Sequence, residues 1–127
     1  MITNEGTGGP RAVLNTPRST KRLLTFAKLI LAAMTSNADF PSPTPNLDAF
    51  EKDIDAFDKA ETEAAGGAKA AVKQRNAKRQ KVIEDLNHLR DYVQSVSETQ
   101  AGPSEAAAVI ASAGMAVKKL TWRTKPE

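Results

Sequence analysis

Cysteine is absent from this chain of 127 residues, histidine occurs once, and aromatic side chains make up only 5%. Without cysteine there are no disulfides, thiolate zinc sites, iron–sulfur clusters or cysteine nucleophiles. The single histidine, His88, excludes metal centres built from several histidines. With so few aromatic residues, the core must be built mainly from Leu, Ile, Val and Ala. Most enzyme chemistry lacks its usual groups here, and we expect no enzyme activity, no cofactor and no bound metal.

Long hydrophobic runs are absent as well. A membrane span needs about 20 apolar residues, so we expect none. Residues 18–38 imitate a signal peptide, because cations precede an apolar run and small residues follow it. Lys28 interrupts that run, and helical spacing explains the same residues as a core helix. We therefore predict no signal peptide and leave the compartment open between the cytoplasm and an extracellular or viral-like particle.

Charged residues are present in long blocks of one sign. The net charge of +3 combines +4 over residues 1–36, −6 over 39–65, +6 over 69–81, −3 over 84–98 and +2 over 105–127. The third block contains six cations and no acid: Lys69, Lys73, Arg75, Lys78, Arg79 and Lys81. Such a block is typical of a solvated helix face beside an acidic neighbour, or of a surface that binds phosphates.

Composition divides the chain into three segments. Residues 1–15 hold three glycines and one proline without apolar periodicity, which predicts an extended arm. Residues 16–114 show helical periodicity and predict a helical bundle domain, and residues 115–127 predict an extended tail. Ordering a backbone costs about 1 to 2 kcal/mol per residue, so we expect the arm to be mobile in an isolated monomer.

Helix signals occur four times within the bundle segment. Thr16 and Pro17 suit the start of a first helix, and Thr44 and Pro45 repeat this opening before a second. Between them, the Phe40–Pro45 linker carries proline at every second position, which forbids helix. The predicted helices span about 17–36, 45–65, 68–97 and 104–113.

The short connections favour antiparallel packing of consecutive helices. We therefore predict an all-α fold: an up-and-down bundle of three long helices plus one short helix, with the extended N-terminal arm and C-terminal tail outside it. Folding the second helix onto the third at the 66–67 glycine turn places Glu63 near Ala70 and Lys52 near Lys81. The acidic block thus lies beside the basic block.

The basic block has two interpretations. Its six cations form a candidate nucleic-acid surface, but no aromatic residue interleaves with them and the acidic helix compensates their charge, so we expect weak binding at most. The alternative is intramolecular pairing, in which each exposed pair contributes about 0.2 to 1 kcal/mol. Arg75 and Arg79 fall on the apolar stripe of the third helix, and we expect each to form a partly buried pair with a carboxylate.

His88 lies three residues from both Asp85 and Asp91, so these side chains share one side of a helix. A catalytic histidine also needs a nucleophile or a substrate pocket. The sequence offers neither, and we expect a surface histidine.

Four features of the chain together resemble a family: the Phe40–Pro45 linker, the Arg75 and Arg79 pair, Tyr92–Val93 and the Ala113–Val117 ending. They resemble uncharacterised bacterial helical-bundle proteins, in which the module is often followed by a fibronectin type III-like domain. The resemblance covers about residues 20–119, and no β-rich domain is expected after Gly114. It implies a non-enzymatic module and supplies no functional residue.

We accordingly expect a structural or scaffolding subunit that assembles through its terminal segments, with itself or with another structural subunit. A basic nucleic-acid-associated protein is the alternative. The candidate interface residues are apolar groups in the arm, linker and tail: Ile2, Val13, Leu14, Phe40 and Trp122.

Overall fold

Four α-helices form the body of the protein in this computed structural model, which describes residues 10–118. They are α1 (Thr20–Met34), α2 (Leu47–Ala64), α3 (Lys69–Ser97) and α4 (Pro103–Ser112). Two three-residue strands flank them, β1 (Arg11–Val13) and β2 (Ala116–Lys118). The predicted all-α fold with a helical bundle is confirmed.

The first two helices begin later than the Thr–Pro pairs predict. Ser19 caps α1, because its hydroxyl accepts a hydrogen bond from the backbone of Arg22. Asn46 caps α2 and accepts from the backbone of Ala49 at 2.8 Å. The first backbone amides of a helix have no acceptor within the helix, and in each case the side-chain oxygen of the cap accepts from the amide three residues further on. The caps therefore determine where the two helices begin.

One aliphatic core joins all four helices. Each helix buries residues at three- and four-residue spacing, which is the pattern of a single inward face. The largest fully buried side chains are Phe50, Phe57, Leu23, Ile30, Met34, Ile54, Leu86, Leu89 and Ile110. Fully burying one such side chain stabilises the fold by about 1.5 to 3 kcal/mol.

Consecutive helices pack on each other, with α2 against α3 as the most extensive contact and α1 on α2 and α3 on α4 beside it. In α3, every buried residue lies between Val82 and Ser97, and residues 69–81 contain none. The basic block therefore occupies the half of α3 that lies outside the core.

Two glycines make turns that other residues would strain. Gly67, between α2 and α3, has φ +82, and Gly114, after α4, has φ +79. A Cβ on Gly114 would lie 3.4 Å from the Cβ of Ala33 in α1. Glycine therefore lets the chain turn tightly against α1 before it enters β2.

The segments predicted as a separate arm and tail are extended where they are described, but they are not separate from the bundle. β1 and β2 pair antiparallel with each other, and β1 packs on α3 and α4. Ala12, in β1, is 7% exposed and belongs to the core cluster. Residues 11–13 of the predicted arm thus belong to the packed body, because pairing with residues 116–118 supplies backbone hydrogen bonds and Ala12 is buried.

The described part of the chain, residues 10–118, holds no helix with both the length and the apolar character needed to cross a membrane.

Candidate functional site

The two ends of the described chain meet in one small sheet. Arg11 pairs with Lys118, Ala12 with Val117, and Val13 with Ala116. In an antiparallel ladder, successive residues direct their backbone groups alternately toward the partner strand and away from it. The positions of these groups decide which edge of the sheet is available for a further contact.

The outer edge of β1 is covered by one side chain of α3. The Ala12 backbone amide donates to Gln94 Oε1 at 2.7 Å, and Gln94 Nε2 donates to the Pro10 carbonyl at 3.3 Å. The carboxamide thereby acts as a third strand would, giving one acceptor and one donor to the edge. Pro10 fits here because its missing amide would face away from β2.

The outer edge of β2 differs from that of β1. Since Ala12 directs its backbone groups away from β2, its partner Val117 directs its own amide and carbonyl away from β1. Within residues 10–118, no hydrogen bond reaches either group. The Val117 side chain is half-buried and packs against the core cluster. β2 therefore presents a fixed edge with one donor and one acceptor.

The predicted interface residues fall into different places. Val13 and Leu14 are half-buried, and Leu14 packs against the core cluster. Ile2 and Trp122 lie outside the described residues.

Phe40 does not fit the role of an exposed interface anchor. It is only 3% exposed, and its ring lies 6.0 Å from that of Tyr92 at a tilt of 58°. The proline-rich linker folds back onto α3, where the Tyr92 hydroxyl accepts from the Ser42 amide at 3.2 Å. The prediction for Phe40 is wrong because the linker supplies an aromatic group to a core that has few.

The six cations of the basic block do not form one paired set. Arg75 pairs with Glu61 of α2 at 3.1 Å, and both side chains are partly buried, as predicted. Arg79 contradicts the prediction, since its guanidinium donates to the Arg18 carbonyl and not to a carboxylate. Lys81 forms an ion pair within its own helix, with Asp85 Oδ1 at 3.6 Å.

Among residues 10–118, the remaining cations Lys69, Lys73 and Lys78 are exposed and make no ion pair. The register of the helices accounts for part of this. The expected pairing of Glu63 with Ala70 sets Glu61 opposite residue 72, whereas Glu61 pairs with Arg75, three residues further on. Charge cancellation between the two blocks is therefore smaller than the sequence suggests.

A buried carboxyl group, that of Asp85, lies where α2 packs on α3, with the half-buried Asp53 of α2 as its neighbour. Asp85 is 2% exposed, and its Oδ2 atom has no hydrogen-bond donor among the described residues. Burial, and after it the neighbouring Asp53, raise the pKa of Asp85 to about 7, although the Lys81 ammonium opposes both. Protonation of Asp85 removes both the cost of a buried charge and the repulsion from Asp53.

Sequence reasoning missed this pair, although a signal existed. Asp85 follows Val82 by three residues and precedes Leu89 by four, so it falls on the buried side of α3. The same spacing holds for Asp53 between Phe50 and Phe57 in α2. An acid at such a position on each of two neighbouring helices predicts a carboxyl contact between them. Gln94 gave no comparable signal, since it lies outside the apolar stripe.

The remaining geometry offers little reactive chemistry within residues 10–118. No three potential metal ligands converge there, and His88 is exposed. A cavity of about 370 Å³ beside the proline-rich linker has Asp48 as its one ionisable lining residue. The Asp85 carboxyl is covered by the packing of α2 on α3, so a solute does not reach it.

Comparison with known proteins gives no match, either to a family model, to a curated protein or to a solved structure. Function is therefore inferred from the residues and their geometry.

Proposed function

We propose that the protein is a non-enzymatic structural or scaffolding subunit that assembles through its terminal segments, with copies of itself or with another structural subunit. The observation that carries this proposal is the pairing of Arg11 with Lys118, which sets the two ends of the described chain side by side. Residues 1–9 and 119–127 both continue from this one place. A partner that binds there meets both ends of the described chain.

The contacts that hold β1 against the rest of the fold support the same function. β1 is fixed by backbone pairing to β2, by the Gln94 carboxamide and by the burial of Ala12. Contact residues held on a pre-ordered element lose less conformational entropy on binding than those on a free chain. β1 and β2 therefore provide a pre-ordered element for such a contact.

Light scattering of the full chain against one truncated at the N-terminus tests the proposal. Deleting residues 1–9 leaves Pro10 and β1 in place, so helical circular dichroism and cooperative melting should persist while the measured mass falls. A chain in which a Gly–Ser segment of equal length replaces residues 1–9 should behave like the deletion, which separates lost contacts from lost length. Trp122→Ala should give a smaller loss of mass.

Deleting residues 1–15 provides a contrasting control. It removes β1 with the buried Ala12, and we expect it to lower the melting temperature as well as the mass. A full-length protein that stays monomeric at high concentration contradicts assembly with copies of itself. So does a mass that neither the 1–9 deletion nor Trp122→Ala changes.

Nucleic-acid binding is the second candidate function, and the three exposed lysines without a carboxylate partner favour it. Against strong binding, Lys69 and Lys73 lie on one side of α3 and Lys78 on another, so these cations do not form one continuous stripe. We expect weak, non-specific binding to duplex DNA or RNA that falls steeply with added salt. Sub-micromolar, sequence-dependent binding at physiological salt would instead favour this second function.

A further inference from the structure

We infer that the outer edge of β2 is a contact between two copies of this chain, in which the β2 strands pair antiparallel and join two sheets into one of four strands. This inference rests on the proposed assembly through the terminal segments and names its partner and its contact. Addition of a strand to an open sheet edge is a common mode of recognition, because main-chain hydrogen bonds supply affinity.

The choice of β2 over β1 follows from the hydrogen bonds of the two edges. Gln94 satisfies the Ala12 amide and the Pro10 carbonyl, so the β1 edge is closed to a further strand. Pro10 also lacks the amide that such a strand would need. On β2, the amide and carbonyl of Val117 point outward without a partner among residues 10–118. An edge of this type is a template for another strand.

The identity of the partner follows from the symmetry of that edge. One residue, Val117, carries both an outward donor and an outward acceptor, so a twofold axis beside it lets two copies exchange two hydrogen bonds. In this register Lys118 of each copy lies opposite Ala116 of the other. No like charges then face each other, whereas a direct Lys–Lys pair would be destabilising. The edge is thus complementary to itself.

We assign one exposed apolar side chain of α1 to the same contact between copies. Leu29, on α1, is 63% exposed and is the large hydrophobic side chain left most open within the described residues. It lies one helical turn before Ala33, whose side chain lies against the Gly114 turn that leads into β2. Stable interfaces bury about 800 Å² on each partner, more than a three-residue strand provides, so we assign Leu29 to the same contact.

Substituting Val117 with proline tests the inference directly. Since the Val117 amide points away from β1, proline removes the outward donor while the pairs of Arg11 with Lys118 and Val13 with Ala116 remain. We expect the dissociation constant of the self-contact to rise at least tenfold by analytical ultracentrifugation. Val117→Thr keeps the donor and the branched shape, and should assemble like the parent chain.

A second pair of variants tests the apolar part. Leu29→Glu should weaken the same self-contact, and Leu29→Met should leave it unchanged, because methionine preserves the apolar volume. Circular dichroism of each variant checks that the bundle is retained.

Hydrogen exchange on the parent chain decides the question even where a variant fails to fold. The Val117 amide should be protected at concentrations where the protein is assembled and should exchange rapidly after dilution to monomer. Protection that does not change with dilution overturns the inference, because the edge is then covered within one chain.

The outcomes also separate this inference from the proposed function. If the full chain assembles and Val117→Pro assembles equally well, assembly through the ends stands and the β2 edge is excluded. If the full chain is a monomer at high concentration, this inference and assembly with copies of itself are both wrong.

Discussion

Replacing Asp85 with asparagine should stabilise the protein at pH 8 and leave its stability at pH 4 almost unchanged. The carboxyl group is buried between α2 and α3 beside Asp53, so its charged form is disfavoured in the folded state. Asparagine has nearly the same shape and no charge. Its neutral amide therefore avoids the cost of burying a charge at this position.

The magnitude follows from the pKa of Asp85 in the two states. Its ordinary value of 3.8 rises to about 7 on folding. Below pH 4 both states hold the proton, and the folded protein has its full stability. Between pH 4 and pH 7 the unfolded chain releases the proton first, so the free energy of unfolding falls as the pH rises, and above pH 7 it levels off. At about 1.4 kcal/mol per pH unit, this difference is worth roughly 4 kcal/mol.

Urea denaturation at pH 4, 6 and 8 measures this effect in parent and variant. Asp91→Asn is the matched control, because it makes the same change of charge on the same helix at a side chain that is 68% exposed. The difference between the Asp85 variant and the parent should grow from near zero at pH 4 to about 2 to 4 kcal/mol at pH 8. The control should change little at any pH. An Asp85 variant that is less stable than its parent at pH 8 would refute the reasoning.

Three further predictions concern single contacts. Gln94→Ala leaves the Ala12 amide without its partner and should lower the free energy of unfolding by about 1 to 3 kcal/mol in urea denaturation, with faster exchange of that amide as the specific sign. Gly114→Ala should destabilise the fold by about 1 kcal/mol or more in the same assay, because φ is +79 and the new Cβ lies 3.4 Å from Ala33; an unchanged midpoint would contradict this. Arg75→Gln removes a half-exposed ion pair and should cost about 1 kcal/mol at most, with a smaller loss at 1 M salt than at 0.05 M; equal losses at both would count against an ionic contribution.

The helices and their inner faces could be predicted from the sequence because their signals are local. Apolar residues at three- and four-residue spacing in α1 and α2 identify most of the buried positions, including Phe50 and Phe57. The glycine turn at 66–67 separates α2 from α3 as expected. The predicted starts of α1 and α2 differ from the observed ones because more than one residue near each start can act as an N-cap. Ser19 and Asn46 are the residues whose side chains accept from a backbone amide of the first turn.

The sheet and its polar support could not be predicted, because they depend on contacts between distant residues. Ala12 meets Gln94 across 82 positions in the chain. Three-residue strands are too short for an alternating pattern, so nothing local distinguishes β1 from a loop. Phe40 was misplaced for a similar reason: prolines correctly excluded a helix in the linker, but the fold of the linker onto Tyr92 depends on tertiary packing.

The pairing of Arg11 with Lys118 also determines how the protein responds to tension. Arg11 and Lys118 lie at the same end of the ladder, so a force that pulls these two residues apart acts across the strands and loads one pair of hydrogen bonds at a time. Strands pulled from opposite ends would instead share the load. If neighbouring subunits hold this protein by its two ends, stretching therefore separates β1 from β2 one residue pair at a time while the helices keep their packing. The freed strand residues then lengthen the connection between neighbouring subunits.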